Sequence, residues 1–313
     1  MFIRWPSFGR EKLPRSDAEL EGLVRTLRQD VEVLAGQIGP RCLLNRPEKL
    51  AEAAHYIQTR LESLGYRVDR QKYSAWGHEA VNLAVQCFGG SRPDQIVLIG
   101  AHYDTVAQSP GADDNATGVA ALLALAERVV HAQPSRTIRL VAFANEEPPF
   151  FQSEAMGSWV YARACRKRAD RIVAMLCLES IGYYTDRPES QLYPPPVEGI
   201  GPKVGNFVAF ISDERSEMLL RHVGRLFEQA EAFPWAAAAL PAEIPGISFS
   251  DHWAFGEQGY QALMVTDTAL YRNPYYHTAE DTPEKIDWDR TARVVRGLRI
   301  VIQHLADGIE SGR

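Results

Sequence analysis

The sequence predicts a three-layer α/β/α sandwich around a mixed, mainly parallel sheet. Three observations lead there. Gln95–Ala101, Thr137–Ala144 and Ile172–Leu178 are short, branched, apolar runs without polar alternation, as expected for strands buried on both faces. Stretches of helical period separate them, the alternation from which an α/β layering is built. Each run also stops at a residue able to carry chemistry: His102 and Asp104 after the first, Asn145-Glu146-Glu147 after the second, Glu179 after the third.

The elements follow in order. A helix is expected near Asp17–Ile38 and another near Pro47–Leu64, with a strand beginning at Gly65-Tyr66-Arg67-Val68 and the sheet continuing through Val81–Cys87. After the first apolar run comes Pro110-Gly111-Ala112-Asp113-Asp114-Asn115-Ala116-Thr117-Gly118. An Ala/Leu-rich amphipathic helix follows, ending at Val130, for which Asp114 or Asn115 is a sound N-cap. Arg163–Arg168 reads as the solvated end of a helix, and Tyr183–Pro202 as a loop-rich insertion. Asn206–Ile211 is a strand, Glu214–Ala232 a helix, Ala236–Tyr260 a loop region, Ala262–Thr266 the last strand and Asp289–Ile309 the closing helix. With 313 residues and 45% hydrophobic content, residues 1–313 can form a single catalytic domain, with 1–16 as a flexible N-terminal extension.

Ligand sites in open α/β sheets lie outside the carboxyl ends of strands, so these polar residues face a cleft. Asp113 on its own reads as a turn or capping residue. Two adjacent acids in a Gly-led turn that faces the strand end carrying His102 read instead as metal-ligating. Zinc takes imidazole nitrogen and carboxylate oxygen, and paired ions lie about 3.5–4 Å apart. His102, Asp113, Glu147, Glu179 and His277 are five such donors, and if Asp113 bridges, each of two zinc ions receives three. Two divalent ions against three carboxylates leave one positive charge, which a bridging hydroxide neutralises. Glu146, not needed as a ligand, is free to act as general base. Asp104, on the same side of an extended chain as His102, can accept the other imidazole N–H.

The segments Ala101-His102-Tyr103-Asp104-Thr105, Pro110–Gly118 and Asn145-Glu146-Glu147 resemble the co-catalytic zinc aminopeptidase family, which includes bacterial leucine aminopeptidases, glutamate carboxypeptidase and glutaminyl cyclases. The resemblance runs from about Leu23 to the final helix. It implies the same fold, His102 and Glu179 on one zinc, Glu147 and His277 on the other, Asp113 across both, and Glu146 as base. It also implies a cis peptide between Asp113 and Asp114. His277, alone a structural or surface histidine, gains its ligand role from the family's His-Thr-x-x-Asp-Thr setting. Ser250-Asp251-His252-Trp253 resembles a substrate-side loop, placing Asp251, His252 and Trp253 on the substrate, against a structural loop as the other reading. Tyr276, with Tyr271, Tyr275 and Phe255, belongs to the aromatic residues of which some wall the pocket.

Two departures stand out. The third-strand ligand is commonly Asp in the family, so Glu179, one methylene longer, needs a backbone set further back. Pro148-Pro149-Phe150-Phe151 makes a rigid aromatic loop that either shapes a specificity pocket or ends the strand.

Other chemistries find no support. Gly199–Gly205 lacks phosphate-loop spacing, His78-Glu79-Ala80-Val81-Asn82 lacks the second His of a single-zinc protease, and no Gly-x-Ser-x-Gly elbow exists. The net charge of −6 argues against a nucleic-acid surface, and no run reaches the roughly 18 apolar residues of a membrane span. The start lacks a signal-peptide apolar region, so cytoplasm is the default expectation, with export the alternative if the N-terminus is trimmed, and free thiols are expected at Cys42, Cys87, Cys165 and Cys177 in the cytoplasmic case. The sequence is silent on oligomeric state. The expected function is a zinc-dependent aminopeptidase acting on peptides through a metal-bridging hydroxide. The alternatives are a glutaminyl cyclase-like acyltransferase, with one zinc and loss of ammonia, and an inactive binding module. Carboxypeptidase and deacylase chemistry would use the same ligands.

Overall fold

This computed structural model describes residues 1–6 and 13–308. The first half of the chain runs through β1 (Phe2–Arg4), α1 (Ala18–Val31), α2 (Pro47–Ser63), β2 (Asp69–Ala75), β3 (His78–Cys87), β4 (Arg92–His102), α3 (Gly118–Val129), β5 (Arg136–Phe143) and α4 (Gly157–Lys167). The second comprises β6 (Arg171–Glu179), β7 (Val208–Asp213), α5 (Glu217–Ala230), β8 (Trp235–Leu240), α6 (His252–Glu257), β9 (Ala262–Thr266), α7 (Ala269–Arg272) and α8 (Trp288–Asp307).

The strands form one nine-stranded sheet in the order β1-β8-β7-β9-β6-β4-β5-β3-β2. Its centre is parallel: β4 lies between β5 and β6, and β6 pairs with β9 in the same sense. The flanks are antiparallel at β3–β5, β2–β3, β7–β9 and β1–β8, while β7 and β8 run parallel. Strand alternation splits the central residues between two layers. Val97, Ile99, Leu176 and Leu178 join the core beneath α1, α2, α3, α5 and α8, whereas Ile96, Leu98, Met175 and Cys177 pack with Tyr161 of α4 and Phe255 of α6. This is the three-layer sandwich.

Three expectations need correction. Phe2–Arg4, expected within a flexible extension, forms an edge strand antiparallel to β8; residues 7–12 of that extension lie outside the described residues. The Ala236–Tyr260 region contains β8, whose Ala-rich sequence has no β-branched signal. The strand expected to begin at Gly65–Val68 starts at Asp69 instead. The last helix is described to Asp307, and Ile309 lies outside the described residues. All four cysteines are free. Among the described residues no helix is long and apolar enough to cross a membrane.

Candidate metal centre

The pairing of β4 with both β5 and β6 brings three strand ends together. His102 closes β4, Glu146 and Glu147 follow β5, and Glu179 closes β6. His102 Nε2 lies 3.1 Å from Glu179 Oε2 and 3.2 Å from Asp114 Oδ1. The other oxygen, Asp114 Oδ2, is 3.1 Å from His277 Nε2, which is also 3.1 Å from Glu147 Oε2. Two triads therefore converge, His102/Asp114/Glu179 and Asp114/Glu147/His277, with the donor atoms of each triad within 4.8 Å of one another. Asp114 is common to both.

This corrects the acid placed at the bridge by one residue. Asp113 faces away: its Oδ1 accepts from Gly182 N at 2.8 Å and its Oδ2 from Asn273 Nδ2 at 2.8 Å. The cis peptide lies between Asp114 and Asn115, not between Asp113 and Asp114, and Pro148–Pro149 is also cis. The loop is tied down on several sides. Asp281 accepts the N–H of Asp113 and of Asp114, while Thr117 Oγ1 donates to Asp113 O and accepts from Ile181 N. Asn115, not Asp114, supports the start of α3: its Oδ1 accepts from Gly118 N and Ser180 N, and its Nδ2 donates to Leu178 O. Arg41, fully buried, donates to the carbonyls of Pro110 and Gly111.

Asp104 Oδ1 stands 3.5 Å from His102 Nδ1, and the same carboxylate accepts the backbone N–H of Glu146 and Glu147. It thus orients the histidine and the acid pair together. Glu179 meets the extra reach expected of a longer side chain with two braces, Ser180 Oγ on Oε1 and Ser250 Oγ on Oε2. Glu146 Oε2 lies 3.9 Å from His102 Nε2, and its carboxylate makes no hydrogen bond among the described residues.

The donor set fits cations. Burial and the Asp114 charge push Glu147 up to about 8. Burial, with Glu147, Glu179 and Asp251 nearby, raises Glu146 well above the carboxylate range. Burial alone would lower His277, but the Asp114 and Glu147 carboxylates, each 3.1 Å from its Nε2, carry it up to about 10. Crowded acids of this kind call for positive charge. Glu147 Oε1, Nε2 of His102 and Nε2 of His277 are buried without hydrogen-bond partners, as ligand atoms aimed at an ion would be. Mixed imidazole and carboxylate donors suit zinc.

Beside the centre lies an apolar cavity of about 110 Å³. Glu179 and Tyr276 line it together with Tyr193, Val197, Phe207, Ala236, Met264 and Tyr271. Tyr276 also stacks on His277, with ring centroids 3.9 Å apart.

A sequence profile of peptidase family M28 matches residues 82–302. The chain belongs to this family. Over 303 residues it is 37% identical to the Escherichia coli K12 protein YfbL, covering 94% of this chain and 88% of that one. It is 21% identical to a probable leucine aminopeptidase of Arthroderma otae, covering 87% and 74%. Among solved structures it is similar to BSAP, a zinc aminopeptidase from Bacillus subtilis, at a TM-score of 0.73 and 14% identity, covering 97% and 98%. Glutaminyl cyclase from Fimbriiglobus ruber gives 0.67 at 19% identity, covering 95% and 97%. At these identities the structural likenesses speak to the fold.

Not every residue assigned to substrate sits at the M28 centre. His252 does not: its Nε2 donates to Ile247 O at 2.7 Å, and the residue borders a separate small pocket with Asp213 and Arg215. Trp253 stacks on Trp159 of α4 at 5.1 Å, so it packs the outer layer. Both follow from α6 starting at this point and turning its side chains into that layer. Asp251 is fully buried behind the ligands, and burial pushes it up to about 7, with Glu179 and Asp104 adding to the rise against His102. Of the aromatics, Tyr271 and Tyr276 line the cavity, whereas Phe255 is core and Tyr275 packs on Tyr183. In the proline loop Phe150 packs on Trp76 and Phe151 on Phe249. Arg41, Asn273 and Asp281 were not singled out from the sequence, although Asp281 stands in the His-Thr-x-x-Asp-Thr pattern that pointed to His277.

Proposed function

We propose that this M28 peptidase is an aminopeptidase that holds two zinc ions, one at His102, Asp114 and Glu179 and the other at Asp114, Glu147 and His277. The observation that carries the reading is the sharing of Asp114 between two complete triads. A bound pair of ions would polarise the scissile carbonyl and make water more acidic. The chain's own residues do the remainder. Glu146, free of protein hydrogen bonds and facing the same space, takes a proton from the attacking water and returns it to the leaving amine. Asp104 holds His102 and the acid pair in register. The apolar cavity receives the side chain of the N-terminal residue. The relative named as a probable leucine aminopeptidase supports the choice of the amino terminus.

Glu146→Gln should abolish release of N-terminal leucine from peptides while zinc content stays that of the parent protein. Retained turnover would refute the role. Ammonia loss confined to peptides beginning with Gln would replace the aminopeptidase with a cyclase.

A further inference from the structure

The first residues of the chain contribute to the lining of the cavity. Strand alternation sends neighbouring side chains of β1 to opposite faces. Phe2 and Arg4 turn towards α5: the Arg221 guanidinium lies 3.6 Å from the Phe2 ring centroid, and Arg4 pairs with Glu228 at 2.5 Å while covering the Trp235 ring. Ile3 and Trp5 therefore face the other way, and both line the cavity. The register sets Ile3 opposite Ala238 and Arg4 opposite Ala237. Of β8, the residues lining the cavity are Ala236, Ala237, Ala238 and Leu240, so beside its alanine methyls the larger side chains at this edge are Ile3 of β1 and Trp5 just past it. Trp5 is seated by Tyr193, edge-on at 5.3 Å, and by Gly201, where an added Cβ would lie 2.8 Å from Trp5 Cη2 and 2.4 Å from Tyr193 Cζ. Among the described residues lining the cavity, Glu179 is the one charged side chain. A dry cavity of about 150 Å³ binds benzene, so this smaller one suits an aliphatic or compact aromatic side chain.

We propose that Ile3 and Trp5 are specificity-determining residues, forming the outer wall of the side-chain pocket and setting how large an apolar N-terminal residue is accepted. The assignment rests on the aminopeptidase reading. Trp5→Ala opens the wall and Ile3→Phe narrows the space. With the zinc-loaded full chain and the p-nitroanilides of alanine, leucine and phenylalanine, Trp5→Ala should lower the leucine-to-alanine ratio of kcat/KM by about tenfold, chiefly through KM. Ile3→Phe should shift preference towards alanine. Ratios equal to those of the parent protein in both folded variants would overturn the proposal.

A second measurement separates this failure from failure of the aminopeptidase reading. In metal-free protein labelled with 5-fluorotryptophan, the Trp5 resonance is identified by its loss in Trp5→Phe. Titration with 3-methylbutan-1-ol, which mimics a leucine side chain, should shift that resonance. No shift would overturn the wall assignment even if leucine is released. A shift in a protein that cleaves none of the anilides would keep the wall and discard the aminopeptidase.

Discussion

Replacing Arg41 by Met removes the cation that ties the ligand loop to the N-terminal helical layer. Its guanidinium is 0% exposed. It donates to five carbonyls: Tyr103 at 2.7 Å, Leu34 and Gly39 at 3.1 Å, Pro110 at 2.6 Å and Gly111 at 3.1 Å. Burial draws its pKa down to about 10 against the opposing pull of Asp104 and Asp281, so it stays charged at neutral pH. Five charge-assisted bonds at about 1.5–3 kcal/mol each amount to roughly 7–15 kcal/mol. Burying the charge takes back several kcal/mol. Methionine fills much of the volume but removes all five bonds, although Leu34 O and Gly111 O keep the backbone N–H of Gly39 and Ala116. The expected net loss is about 4 kcal/mol, in the range found when one partner of a buried ionic contact is removed. At roughly 2 °C per kcal/mol for a large domain, Tm should fall by about 8 °C. Calorimetry on metal-free protein would measure this, and urea unfolding would check it. Because Pro110 and Gly111 lead into Asp114, zinc affinity should weaken as well. A Met variant within about 1 kcal/mol of the parent would refute the reasoning.

Two other perturbations have worked signs. Burial draws His252 down to about 4, below the unfolded value of about 6.5. Above pH 6.5 the ring is neutral in both states; between 6.5 and 4 the unfolded chain takes up a proton that the folded one refuses. Stability should therefore fall with acid by an amount on the order of 3 kcal/mol across that window. His252→Gln should flatten this part of the profile in urea unfolding of metal-free protein, and an unchanged profile would contradict the burial argument. Gly118→Ala tests the loop. Helix propensity alone predicts a gain of about 1 kcal/mol. An added Cβ would instead stand 2.2 Å from Asn115 Oδ1 and 2.6 Å from Leu178 O, so a net loss of about 1–3 kcal/mol is expected. A more stable Ala variant would show that the contact yields.

His102, Glu147 and Glu179 were legible in sequence because an apolar run shows where a central strand stops, and side chains just past that point are aimed at the cleft. His277 rested on resemblance alone, and the structure brings it to the same centre. The acid shared by the two donor triads was misplaced by one residue for a physical reason. Gly111 is left-handed, and Asp114 and Asn115 have non-helical torsions, so no periodicity tells which of two adjacent carboxylates points inward. Strand β8 escaped because an alanine run lacks the branched side chains that mark strands, and β1 because three residues are too few to show alternation. Arg41 could not be read because its partners are backbone carbonyls, which leave no trace in side-chain pattern.

The central claim is that Asp114 joins two metal sites. Zinc per chain, measured by mass spectrometry after equilibration and desalting of the parent protein, Asp114→Ala and Asp113→Asn, tests it most directly. Two ions in the parent, neither retained by Asp114→Ala and both retained by Asp113→Asn would bear out the shared carboxylate. Two ions still held by Asp114→Ala would contradict it.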